Sequence, residues 1–90
     1  MKRAVRVYFS GLVQGIFFRS FVKEQADKSN VVGFVRNLED GRVEAFFEGQ
    51  DDSVTKVIEL CKTHKHAKVK STEIKEEKLQ DMKEFKILNI

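Results

Sequence analysis

Apolar and polar residues alternate near the start of the chain, with Val5, Val7 and Phe9 in one phase and Arg6, Tyr8 and Ser10 in the other. This period of two predicts a half-buried strand over about residues 3 to 10. The period then changes. Phe18, Phe21, Val22, Gln25 and Ala26 recur at helical spacing, so a helix is expected from about Phe18 to Ser29, with Asn30 able to end it. Val32 to Asn37 and Val43 to Glu48 read as two further strands, divided by Leu38-Glu39-Asp40-Gly41, whose Asp-Gly pair is a hairpin-turn signal. In the later of these strands Val43, Ala45 and Phe47 share one face. Arg42, Glu44, Phe46 and Glu48 share the other, which predicts an apolar face for helices and a mostly polar face for solvent.

Gly49 closes that strand, and Asp51, Asp52 and Ser53 offer N-cap choices for a second helix with its apolar stripe at Val54, Val57, Ile58 and Cys61. Thr63 to Lys65 is its exit. From Ala67 the alternation shifts phase, with Ala67 and Val69 in one register and Thr72 and Ile74 in the other, the mark of a bulge in a strand. Glu76 to Lys83 is a charged connector, and Phe85 with Ile87 starts a last short strand. The order is strand, helix, strand, strand, helix, strand, with a short strand added at the end. That is the split βαβ, ferredoxin-like α+β pattern (βαββαβ), an α/β sandwich with two helices on one face of a mainly antiparallel sheet.

Ninety residues suit one domain, residues 1–90, since no repeat, linker or low-complexity tract divides them. Charged residues make up 34% of the chain, above the usual ~25%, and describe a heavily solvated exterior. The net charge of +3 favours anionic ligands without calling for nucleic acid, because Lys and Glu are interleaved. A single cysteine fits a reducing compartment, and no run approaches membrane-spanning length or the form of a signal peptide, so a cytoplasmic protein is expected.

The chemistry gathers at Gly11-Leu12-Val13-Gln14-Gly15-Ile16-Phe17-Phe18-Arg19, where a strand pattern passes through two glycines into a helix. Unpaired N–H groups of a first helical turn, at the positive end of the helix dipole, make a natural seat for phosphate or carboxylate. Arg19 stands in that first turn. In a βαββ topology the first two strands point the same way, so Asn37, which ends the second, arrives at the same end of the sheet as the glycine loop.

The run Gly11-x-Val13-Gln14-Gly15-Ile16-x-Phe18-Arg19, followed by Gly33-Phe34-Val35-Arg36-Asn37-x-x-Asp40-Gly41-x-Val43-Glu44 and then Gly49, resembles both signature segments of the acylphosphatases. Ile16 stands where Val is common, Phe34 where Trp is frequent, and Thr63-His64-Lys65-His66-Ala67 replaces a usual Gly-Pro element. The resemblance covers essentially the whole chain. It implies hydrolysis of the carboxyl-phosphate anhydride of acyl phosphates to a carboxylate and inorganic phosphate, with no metal and no organic cofactor. It further implies that Arg19 and Asn37 are the catalytic pair. Gln14, Gly15, Ile16, Phe17, Phe18 and Arg19 would bind the phosphate, and Asn37 would hold the attacking water. A small-molecule substrate, no membrane and a monomer are the corresponding expectations.

The residue types suit that chemistry. Phosphoryl transfer asks mainly for positioning and charge stabilisation, which backbone N–H groups and a guanidinium supply. A departing carboxylate, of pKa roughly 4, needs no acid to protonate it. An amide such as Asn37 both donates and accepts, and so can orient water. Gln14 reads equally as a phosphate donor or a solvated side chain; Phe17 borders the acyl group or simply closes the loop. Cys61 reads as a small buried hydrophobe and His64 with His66 as exposed residues rather than metal ligands. Two other readings share this topology. One is an RNA-binding sheet, for which Arg6 and Tyr8 speak and Glu44 and Glu48 speak against; the other is a regulatory module that binds an anion without reaction.

Overall fold

The computed structural model describes residues 1–89. Its elements are β1 (Lys2–Leu12), α1 (Phe18–Lys28), β2 (Val32–Asn37), β3 (Val43–Gln50), α2 (Asp51–Cys61), β4 (Lys68–Glu77) and β5 (Phe85–Leu88). The strands form one sheet in the order β4-β1-β3-β2-β5. Neighbours β4-β1, β1-β3 and β3-β2 are antiparallel, while β5 joins β2 in parallel. Both helices cover the sheet face carrying Val5, Val7, Phe9, Val35, Val43, Ala45 and Phe47, and close it with Phe18, Val22, Ala26, Val54, Val57, Ile58 and Cys61. The expected ferredoxin-like sandwich is the observed fold.

Local chemistry explains the element ends. Asn30 has φ 56°, and the N–H groups of Asn30 and Val31 reach back to the carbonyls of Asp27 (3.3 Å) and Ala26 (2.9 Å). This is a Schellman closure with asparagine at the left-handed position, the role expected for Asn30. The other helix departs from expectation. It begins at Asp51, after an N-cap Gln50 that makes no side-chain capping bond. The N–H of Asp51 is instead satisfied by the carbonyl of Met1 at 2.9 Å, so the residue that leads into β1 performs the capping. Asp51 and Asp52 lie inside the first turn, where they complement the helix dipole.

The bulge expected from the phase shift is present. Ser10 faces Ser71 and Gly11 faces Val69, which leaves Lys70 as the extra residue on β4. Gly11 sits at the kink with φ 119°, and a Cβ there would collide with the carbonyl of Lys68. Pairing with Val69 and Lys68 also carries β1 past its expected end, to Leu12.

The helix-free face of β3 corrects the expectation of a solvent face. Glu44, Phe46 and Glu48 are 4%, 0% and 3% exposed. Long side chains from β1 and β2 lie over Glu44 and Phe46. Arg6 donates to Glu44 at 2.8 Å, Arg36 donates to its other oxygen, and the Tyr8 hydroxyl adds a bond of 3.3 Å. The rings of Phe34 and Phe46 stack at 5.8 Å, with the Arg6 guanidinium 5.7 Å from each. The Glu48 carboxylate accepts the backbone N–H groups of Gln80 (2.7 Å) and Met82 (3.2 Å), which binds the charged connector over the end of the strand. Burial pushes the Glu44 carboxyl up, but hydrogen bonds and charge from Arg36 and Arg6 outweigh it and hold the group below its ordinary value.

Candidate active site

The glycine stretch leaves β1 and turns into α1 through two left-handed residues, Gly15 (φ 75°) and Phe17 (φ 61°). Turns of this hand curl successive N–H groups into a concave nest suited to an anion. The Phe17 carbonyl accepts the N–H of Phe21 at 3.1 Å, the first bond of the helix. No acidic residue lies in the first turn. Arg19 does, so a cation is placed at the positive end of the helix dipole, an arrangement that a bound anion relieves.

Arg19 is half-buried and held from the far edge of the sheet. Its Nη1 donates to the carbonyl of Leu88 at 3.1 Å and to Oδ1 of Asn89 at 2.8 Å. Nε and Nη2 make no hydrogen bond among the described residues, which leaves a forked pair of donors beside the nest. The parallel pairing of β5 with β2 is what delivers Leu88 and Asn89 to this position. Neither residue was a site candidate from sequence, because nothing in Phe85-Lys86-Ile87-Leu88 tells which edge the strand joins. The only hint is a polar asparagine at the end of an apolar run.

Asn37 ends β2 on the wall of the same cleft, whose volume is about 410 Å³ and whose lining includes Gly15, Phe17, Arg19, Asn37 and Ile87. Its Oδ1 is buried with no hydrogen-bond partner among the described residues. A buried acceptor of that kind is costly unless something donates to it, and a water O–H serves. The structure therefore brings Gly15, Phe17, Phe18, Arg19 and Asn37 together. Phe18 contributes from below, 1% exposed and edge-on to Phe9 at 5.4 Å, while half-buried Ile16 packs against the core.

Gln14 matches neither of its two expected side-chain roles. Its Nε2 donates to the carbonyls of Leu38 and Arg42, both at 2.9 Å, so both amide hydrogens are engaged. The amide is a strut between the glycine loop and the β2–β3 hairpin that carries Asn37. Only its backbone N–H stays a candidate for the anion. His64 also departs from expectation. It is half-buried, with its ring edge-on to Phe21 (4.8 Å) and Phe18 (6.0 Å) and its Nδ1 accepting the N–H of His66 at 3.1 Å. The pair fixes the exit turn of α2 against the rings of Phe18 and Phe21 of α1. Cys61 is buried as expected, and burial pushes its thiol up to about 12.

Fold and cleft together define a small α+β protein built to seat an anion at a helix start. Comparison with known proteins makes the class specific. The acylphosphatase family model matches residues 5–87. An acylphosphatase of Rubrobacter xylanophilus is 49% identical over 76 residues, spanning 83% of this chain and 69% of that one. One from Syntrophus aciditrophicus is 41% identical over 90 residues, spanning 98% and 94%. The crystal structure of acylphosphatase from Bacillus subtilis superposes with a TM-score of 0.92 at 34% identity, covering 98% of this chain and 99% of that one. The chain belongs to the acylphosphatase family. It is an acylphosphatase hydrolase, and its reaction is the hydrolysis of acyl phosphates to a carboxylate and phosphate.

Proposed function

We propose that the loop from Gln14 to Arg19 holds the substrate phosphate through its backbone N–H groups and the Arg19 guanidinium, and that Asn37 holds the attacking water. The water oxygen forms a bond to phosphorus while the bond from phosphorus to the bridging oxygen breaks. The electron pair leaves with the carboxylate, and one water proton passes to an oxygen of the transferred phosphate. Asn37 acts by orientation, since its amide is no base, and Arg19 acts by meeting the charge that spreads over the phosphoryl oxygens. Leu88 and Asn89 fix the guanidinium in advance, so little reorganisation is left for the reaction itself.

The observation that carries this reading is the buried Oδ1 of Asn37, an acceptor without a partner among the described residues, on the wall of the cleft that also holds Arg19 and the nest. The cleft is complete within one chain, which supports a single domain acting as a monomer. Among the described residues no helix is long and apolar enough to cross a membrane, and with the one buried cysteine this supports a cytoplasmic enzyme. The RNA-binding alternative loses its surface, because Phe46 is sealed beneath Phe34 and Arg6.

Hydrolysis of benzoyl phosphate with excess chelator, on wild type, Arg19→Ala and Asn37→Ala, tests the assignment. Wild type should turn over without added metal. Each variant, folded by circular dichroism, should lose roughly a hundredfold to a thousandfold or more in kcat/KM. Full activity in either folded variant removes that residue from the mechanism. Arg19→Lys should also be poor, because a point charge does not reproduce the fork.

A further inference from the structure

We infer that Phe17 is a specificity residue that receives the acyl group, and that it tunes the enzyme toward acyl phosphates with aromatic or long apolar acyl groups; this rests on the phosphate and water positions proposed above. In-line displacement places the incoming water, phosphorus and the leaving oxygen on one line. Asn37, which holds the water, lines the wall of the cleft and has its Oδ1 buried. The leaving carboxylate then lies on the side of phosphorus away from that buried oxygen, toward the mouth of the cleft.

Phe17 stands at that mouth. It lines the cleft, yet is 84% exposed. Its neighbour Phe18 is 1% exposed and closes the loop against the core, so Phe17 is not needed for that purpose. Its backbone has φ 61°, a conformation that glycine adopts freely and a bulky L-residue adopts only at a cost. Neither packing nor backbone preference accounts for an aromatic ring at this position. A ring held at the rim offers a face on which an aromatic acyl group stacks as it is partly desolvated, with the half-buried Ile87 on the same cleft adding apolar surface.

The test is the ratio of kcat/KM for benzoyl phosphate to that for acetyl phosphate, in wild type, Phe17→Gly and Phe17→Tyr. The two leaving groups differ in intrinsic reactivity, and comparing ratios between variants cancels that difference. Glycine suits the left-handed backbone, so the variant should fold. The ratio should fall roughly three- to tenfold in Phe17→Gly and be kept in Phe17→Tyr, the range that one aromatic contact is worth. Equal losses on both substrates, or an unchanged ratio, overturn the proposal while leaving the phosphate site intact. Full activity of Asn37→Ala in the same assays overturns the site itself, and the in-line argument with it.

Discussion

Exchanging Gln14 for alanine or glutamate separates the strut reading of this residue from direct contact with substrate. The amide ties two carbonyls, those of Leu38 and Arg42, to the glycine loop with two bonds of 2.9 Å. Two neutral hydrogen bonds contribute about 0.5 to 1.5 kcal/mol each, so Gln14→Ala should lose about 1 to 3 kcal/mol of folding stability. Gln14→Glu keeps the size but puts acceptor oxygens against two carbonyl oxygens, and should lose at least as much at neutral pH. The introduced carboxyl ionises less readily beside those carbonyls than in the unfolded chain, so its folded pKa is raised. The extra destabilisation is therefore complete above that pKa and is relieved as pH falls through it, when an O–H can donate to one carbonyl. Activity should fall as well, since the loop and Asn37 lose their fixed relation and a displacement near 1 Å can cost about a hundredfold. Urea unfolding with an unchanged m-value, run at pH 7 and pH 4 beside kcat/KM, measures both effects. Wild-type stability in both variants would refute the strut. Lost activity with wild-type stability would return the side chain to substrate contact.

Two further substitutions test the scaffold. Glu44→Ala leaves Arg6 and Arg36 facing a buried gap; because both arginines are part-exposed, about 2 to 4 kcal/mol is expected in urea unfolding, somewhat under the loss for a fully buried pair. The Glu44 carboxyl lies below its ordinary value in the folded protein, so its stabilisation is complete above about pH 4.3 and is lost as pH falls through the lower folded value. Glu44→Gln should therefore flatten the acid limb of the stability profile, and an unaltered limb would contradict the pairing. Gly11→Ala should cost about 1 to 3 kcal/mol through strain at φ 119° and the clash with the Lys68 carbonyl. Gly15→Ala, with open space around its Cβ, should cost less in the same measurement.

How far the sequence foretold the structure depended on how local each cause was. The strands with period two, the Schellman end at Asn30 and the bulge signalled by the phase shift before Thr72 all arise within a few residues, and all are present. The burial of Glu44 and Glu48 arises between elements. It needs Arg6 from β1, Arg36 from β2 and the connector beyond β4, and no pattern within β3 reveals that company. The same holds for the Met1 carbonyl that caps α2 and for the β5 residues that hold Arg19. In the cleft, Arg19 and Asn37 were legible because motif and topology pointed to one end of the sheet. The direction of the Gln14 amide was not, since either role fitted a polar residue in a loop.

The most direct test of the division of labour is inorganic phosphate binding set beside turnover, with phosphate measured as a competitive inhibitor of benzoyl phosphate hydrolysis and by titration calorimetry. Asn37→Ala should bind phosphate within about threefold of wild type yet lose at least about a hundredfold in kcat, whereas Arg19→Ala should lose both. Phosphate binding lost as severely in Asn37→Ala as in Arg19→Ala, or wild-type kcat in Asn37→Ala, would contradict the assignment of the water to Asn37.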